Sequence, residues 1–298
     1  MKAFYSDQFV LPLPEGHRFP MSKYVRLREC LSGDTGLELR VPDPASDTDI
    51  LRVHAPEYLR RVVEGTLARE AVRRIGFPWS PGLVERSRRS VGGTIGAARA
   101  ALEEGRGANL AGGTHHAYED RGEGFCVFND VAVAARALQT EGRVRRVAVL
   151  DLDVHQGNGT AVIFRHDPSV LTISVHGSSN YPFRKEESDL DVALPDGTGD
   201  ADYLAAMEPA LDRVRGHRPD LLFYVAGADA YELDKLGRLA MTAEGLAERD
   251  RRVFALADEL AVPVAVVMAG GYAPDVDRIV EIHARTVREA ARTKPRPT

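Results

Sequence analysis

Residues 144–155 read VRRVAVLDLDVH, and the reading of this stretch decides the fold. The run 144–150 has strand length and turns wholly apolar from Val147, then passes directly into two aspartates and a histidine. A strand apolar on both faces is buried between two layers, which is the pattern of a parallel sheet. Working outward, the runs 108–111, 170–175, 221–226 and 264–269 have the same character, and each stops at Gly or His. Residues 2–5 would add one more strand. Helix-like segments lie between them. Residues 87–104 carry Val91, Ile95, Ala98 and Leu102 at helical spacing. Residues 129–139 start on a capping Asn or Asp, 202–215 precede the fourth strand, 242–260 open on Thr242, and 279–292 form a terminal helix. Strands alternating with helices predict an α/β chain, a three-layer α/β/α sandwich around a mostly parallel sheet.

The chain has 298 residues with Lys plus Arg 39 and Asp plus Glu 44, a net charge of −5. Hydrophobic residues make up 44% and charged residues 28%, which excludes a disordered or collagen-like chain. The length allows one or two domains, but no linker or internal repeat divides it, so one domain over 1–298 is expected. A mildly acidic chain without a basic patch is a poor generic partner for nucleic acid or anionic membrane. Two cysteines, Cys30 and Cys126, predict a reducing compartment and no disulfide framework. Residues 1–7 lack a signal-peptide pattern and no apolar run reaches membrane length, so a cytoplasmic protein is expected. The charged tail 292–298 is expected to fray.

In open α/β sheets, ligands bind beyond the carboxyl ends of the strands. Four predicted strand ends deliver polar chemistry there. They lead into Gly112-Gly113-Thr114-His115-His116, Asp151-Leu152-Asp153-Val154-His155, Gly227-Ala228-Asp229 and Gly270-Gly271-Tyr272. Asp151, Asp153 and His155 alternate, so they share a face. Asp153, His155 and Asp229 make a two-carboxylate, one-imidazole set that suits one divalent ion with a position left for water. A second metal would need bridging carboxylates, but Gly157 and Tyr231 stand two residues after His155 and Asp229. His115 and His116 are candidates for proton transfer, with Asp151 a candidate for backing one of them. Tyr272 can donate to a developing oxyanion. Cys126 reads as a small buried hydrophobe.

The segments GGTHHA (112–117), GFCVFND (124–130), DLDVHQGNG (151–159), GAD (227–229) and GGY (270–272) together resemble the zinc-dependent histone deacetylase family of the arginase/deacetylase superfamily. The QGNG run at 156–159 is most similar to class IV and its bacterial relatives. The resemblance implies hydrolysis of acyl groups, acetyl or longer, from N-ε-acyl-lysine by metal-activated water. It implies one zinc, with iron(II) as the alternative ion, on Asp153, His155 and Asp229. It makes His116 the general base and acid, His115 its electrostatic partner, Asp151 the carboxylate behind His115, and Tyr272 the group polarising the amide carbonyl. Asn158 matches the residue behind His116, where many relatives carry Asp, and this departure removes a negative charge. A structural potassium ion would use Asp151, Asp153, His155, Ser174 and Val175, partly through backbone oxygens. Gly124, Phe125, Tyr181, Gly270 and Gly271 would line the substrate tunnel, with Leu236 near its rim. Lys23 stands where many relatives place an Arg by the inner cavity, and Phe77 where some use an Asp to grip the substrate backbone.

Two other functions fit the same residues. A deacetylase of small acylated amines, such as acetylpolyamines, would need an acidic rim, for which Glu186, Glu187, Asp189 and Asp191 are candidates. A non-catalytic acyl-binding module would lack a metal ligand or the phenol, and the chain retains all of them.

Overall fold

The computed structural model describes residues 1–292, so from residue 293 on the tail expected to fray lies outside it. Eight strands form one sheet: β1 (Lys2–Phe4), β2 (Glu38–Arg40), β3 (Arg106–Asn109), β4 (Val147–Asp151), β5 (Val170–Gly177), β6 (Leu190–Leu194), β7 (Leu221–Val225) and β8 (Val264–Val267). Their spatial order is β2-β1-β3-β8-β7-β4-β5-β6, and every pairing is parallel. Alternate residues of the central strands feed two separate cores. Ala148, Leu150, Leu222, Tyr224, Val264 and Val266 face the layer of helices Ser22–Leu31, Ala243–Glu259 and Val276–Ala291. Val147, Val149, Phe223, Val225, Ala265 and Val267 face the layer that includes Pro81–Glu104 and Asp130–Thr140. The chain is a three-layer α/β/α sandwich with an all-parallel sheet.

Several boundaries differ from the sequence expectation, each for a local reason. The helix expected over 87–104 begins at Pro81, because Ser80 accepts from the Leu83 amide and caps it while Pro fits the first turn. The segment expected as one helix over 202–215 is two, Asp200–Ala206 and Glu208–His217, separated near Pro209. Proline has no amide hydrogen to continue the first helix. The strand expected from 144 starts at Val147, because the Arg145 and Arg146 amides both bond the Asp220 carboxylate at 2.8 Å. The strand expected over 108–111 is shifted to Arg106–Asn109. The Arg106 guanidinium is buried against Asp258 and the Val262 carbonyl, so a charged residue opens a buried strand.

Strands β3, β8, β7 and β4 are neighbours in that order. Their carboxyl ends therefore form one contiguous ledge, onto which all four sequence motifs empty. Arg249 ties two of these ends together from below. It is fully buried, and its Nη1 donates to the Gly227 carbonyl at 2.8 Å and to the Leu152 carbonyl at 3.3 Å. Its Nε and Nη2 donate to Asp250 at 3.1 and 2.9 Å, and Tyr224 and Thr286 donate to the same carboxylate. Removing one partner of a buried ion pair strands the other. Arg249→Met is therefore expected to destabilise the fold by about 3–5 kcal/mol in urea unfolding. A loss below about 1 kcal/mol would show that the network does not hold the ledge.

Candidate active site

The ledge brings Asp153, His155 and Asp229 together. All three are buried, and one donor atom from each lies within 4.8 Å of the others. His155 Nδ1 sits 2.9 Å from Asp153 Oδ1 and 3.1 Å from Asp229 Oδ2. The far sides of the carboxylates are occupied. Asp153 Oδ2 accepts the Gly270 amide at 2.8 Å, and Asp229 Oδ1 accepts the Val154 amide at 3.0 Å. Asp229 Oδ2 receives no backbone amide, and His155 Nδ1 faces it at 3.1 Å. A Cβ on Gly270 would lie 1.8 Å from that same oxygen, so glycine is required where the β8 loop closes over the carboxylates. Burial opposes charge on His155, but the bonds to Asp153 and Asp229 outweigh it and hold the imidazole up at about 10. Two buried carboxylates with an imidazole gripped between them form a cradle that could hold a divalent cation.

His115 and His116 leave β3 through the Gly112-Gly113 turn, which the Asp130 carboxylate fixes by accepting the Gly113 and Thr114 amides at 3.0 and 2.7 Å. His115 Nδ1 lies 2.6 Å from Asp151, and His116 Nδ1 lies 2.7 Å from Asn158 Oδ1. The two Nε2 atoms face each other at 3.2 Å. The different backing groups separate the pair. Burial disfavours charge on His115, yet Asp151 overcomes it and raises His115 to about 9. Burial and then the His115 charge push His116 well below the ordinary range. Next to a cationic His115, His116 favours the neutral form, and its Nε2 faces His115 Nε2.

Two cavities meet at the histidines. An outer pocket of about 430 Å³ is lined by Gly124, Phe125, Tyr181, Leu236 and Tyr272, and reaches His116 and His155. An inner cavity of about 70 Å³ continues past Gly270 to helix Pro81–Glu104. Phe125 takes a left-handed backbone (φ 66°), held there by its amide on the Ile75 carbonyl at 2.7 Å. Its ring packs on Phe77 and Phe19 at 5.2 Å and on Tyr272 at 6.1 Å. Phe77 is thus part of the wall's backing. Asp234 anchors the tyrosine loop by accepting the Tyr272 amide at 2.6 Å. Lys23 is buried under the same loop, donating to the Ala269 and Gly271 carbonyls at 3.2 and 3.4 Å, with its Nζ 5.3 Å from the Tyr272 ring centre.

Asp151, at the end of β4, pairs in register with Ser174 of β5, so three of the residues expected around potassium, Asp151, Ser174 and Val175, are on adjacent strands, while Asp153 and His155 follow the end of β4. Ser174 Oγ is 2.9 Å from His176 Nδ1. The acidic run does not form a rim. Asp189 accepts the Thr172 amide and hydroxyl at 2.8 and 2.9 Å, Asp191 accepts Gln156 at 2.8 Å, and Glu186 pairs with Arg165 at 2.6 Å. None of these acids lines the outer pocket, whose charged residues are Arg18, Lys235 and Arg238. Sequence reading gave no role to Glu123, Tyr118, Asp234 or Asp130, although 124–130 was singled out as a segment. Only position relative to a motif could have pointed to them.

The Histone deacetylase domain model matches residues 17–287. An uncharacterized protein of Picosynechococcus sp. is 44% identical over 293 residues, covering 96% of this chain and 97% of the relative. A histone deacetylase-like amidohydrolase of Pseudomonas aeruginosa is 35% identical over 289 residues, covering 88% and 74%. The crystal structure of an acetylpolyamine aminohydrolase from Burkholderia pseudomallei superposes with a TM-score of 0.79 over 98% of this chain and 99% of that one, at 24% identity, a likeness of fold. A family match over nearly the whole chain, together with a ledge that gathers four of the five motifs of the resemblance, leads to one conclusion: the chain belongs to the histone deacetylase family, whose members include deacetylases and amidohydrolases.

Proposed function

We propose that this protein hydrolyses the side-chain amide of N-ε-acyl-lysine in peptides or proteins, with one divalent ion on Asp153, His155 and Asp229. The reading rests on one observation above all: a buried Asp-His-Asp cradle, with one Asp229 oxygen that no backbone amide reaches, lies beside the floor of an aromatic-walled pocket. Oxygen and imidazole donors suit zinc, and iron(II) accepts them too. Such an ion supplies a Lewis acid that polarises a carbonyl and lowers the pKa of water. The chain's own groups do the rest. Phe125 and Tyr181 pack the apolar lysine stem while its acylated tip reaches the floor. His116 Nε2 takes the proton of the attacking water and returns it to the leaving amine. His115, kept cationic by Asp151, stabilises negative charge beside it. The Tyr272 hydroxyl donates to the carbonyl oxygen as it becomes an oxyanion. Asp151, Asp153, His155, Ser174 and Val175 are assigned to a structural potassium ion. Among the described residues no helix is long and apolar enough to cross a membrane. Cys30 is exposed and unpaired, which fits a reducing compartment, and we place the protein in the cytoplasm.

Charge at the mouth favours a peptide over a polyamine. Arg18 and Lys235 have no acidic partner among the described residues, and Arg238 has Asp196 at 3.3 Å. A mono-acetylated polyamine keeps its other amines charged and is repelled by this rim, whereas acyl-lysine is neutral. In side-by-side kinetics, an acetyl-lysine peptide is expected to exceed acetylputrescine in kcat/KM by about tenfold or more, as for one unfavourable charge contact of about 1.4 kcal/mol. A preference for acetylputrescine would replace the lysine assignment with the small-amine one.

The ligand and donor roles separate by mutation. His155→Ala is expected to abolish stoichiometric metal binding in elemental analysis, and the same measurement on the wild type identifies the ion. Retained full stoichiometry would remove His155 from the ligand set. Tyr272→Phe is expected to keep the metal and lose on the order of 100-fold in kcat, as for one oxyanion donor. Unchanged turnover would exclude Tyr272 from the mechanism.

A further inference from the structure

Glu123 is a buried carboxylate that no catalytic role claims. It lies beside Gly124 and Phe125 of the pocket wall. One of its oxygens, Oε1, accepts from Asn158 Nδ2 at 2.7 Å and from the Tyr181 hydroxyl at 2.8 Å. Its other oxygen is 3.9 Å from Arg121 Nε. A carboxylate only accepts hydrogen bonds, so it dictates which end of the Asn158 amide faces it. The Asn158 nitrogen is turned toward Glu123, and it also donates to the Tyr118 hydroxyl at 3.0 Å, which in turn donates to Glu186 at 3.2 Å. The amide oxygen is thereby aimed at His116 Nδ1, 2.7 Å away. An amide oxygen also only accepts, so the proton of neutral His116 must sit on Nδ1 and the lone pair on Nε2.

We propose that Glu123 is a positioning residue that acts through Asn158 to fix the tautomer and orientation of His116, and that the same carboxylate oxygen locks Tyr181 of the pocket wall. The proposal rests on the deacylase reading above. It also accounts for the Asn at position 158. Where the family resemblance expects a carboxylate directly behind His116, this chain has an amide there and the carboxylate one hydrogen bond further out. The two positions therefore form one unit, and replacing the amide alone would set two acceptor-only groups 2.7 Å apart.

That coupling gives the test. Metal-loaded wild type, Glu123→Gln, Asn158→Asp and the double variant are compared for kcat and KM on an acetyl-lysine peptide, with metal content as a control. Glu123→Gln can turn either its oxygen or its NH2 toward Asn158, so the amide's orientation is no longer dictated, while the Tyr181 hydroxyl can pair with either end; KM should stay within about twofold while kcat falls about tenfold, as for loss of a partner behind a functional histidine. Asn158→Asp alone should lose at least as much. The double variant exchanges carboxylate and amide, and should return to within about threefold of wild type. Glu123→Gln at wild-type kcat, or a double variant no better than the worse single variant, overturns the proposal. If Glu123→Gln alone does not fold, Asn158→Asp against the double variant decides the same question. Nitrogen-15 NMR of the His116 ring provides a readout apart from turnover. A single Nδ1-protonated form is expected in the wild type and a mixture of tautomers in Glu123→Gln. Identical ring spectra would overturn the proposal even in an active enzyme. If the wild type hydrolyses no acyl-amine while the ring spectra still differ, the deacylase reading fails and the positioning role stands.

Discussion

Burying like charges at one point is the constraint on which this structure depends. Asp153 and Asp229 are buried together with only His155 between them. Unpaired carboxylates in a dry interior cost several kcal/mol each, so something must compensate. Backbone amides from Val154, His155 and Gly270 supply part of that compensation. They come from the loops after β4 and β8, and Asp229 itself follows β7, which is why the carboxyl ends of β4, β7 and β8 must be adjacent. Arg249 holds the Leu152 and Gly227 carbonyls from the other side of the same ledge. The amides leave one Asp229 oxygen unmet, and the charge they leave uncompensated is what makes the cradle a candidate cation site.

The same constraint explains how the two histidines come to differ although they are adjacent. Both rings are buried, and burial alone would make both neutral. A carboxylate behind His115 and an amide behind His116 break the symmetry. One ring keeps a charge, and the other keeps a lone pair. Two neighbouring groups with separated proton affinities are the usual division of labour between an electrostatic stabiliser and a base.

Much of this was legible in the sequence, because period and position carry it. The central strands are apolar on both faces, so β4, β5, β7 and β8 stood out, as did the chemistry at their ends. Edge strands were not legible. β2 spans Glu38–Arg40 and β6 has the pattern LDVAL, short or half-polar segments that only their neighbours make into strands. The metal cradle could be read because Asp153 and His155 share a strand exit and Asp229 follows another. Glu123, Asp130 and Asp234 could not be read in the same way. Each acts by accepting hydrogen bonds from distant loops, and acidic residues in loops are usually solvated. The acidic run at 186–191 shows the converse. It was the one rim candidate in the sequence, and its Asp189 and Asp191 are consumed in holding Thr172 and Gln156.

The charges of the site are layered, and the layering fits the proposed reaction better than any one residue does. The floor is rich in buried carboxylates, while the mouth carries Arg18, Lys235 and Arg238 on a chain of net charge −5. With the proposed ion on Asp153 and Asp229, a free lysine would be repelled by cationic His115 at the floor and by the positive side chains at the mouth. An acylated lysine carries no charge on its tip and meets neither effect, so its apolar stem and the aromatic wall decide binding. In the proposed reaction hydrolysis restores the charge, and the freed amine would lie beside His115 in a pocket whose lining includes Arg18, Lys235 and Arg238. On the proposed reading, the positive mouth would favour peptides with acidic residues flanking the acyl-lysine.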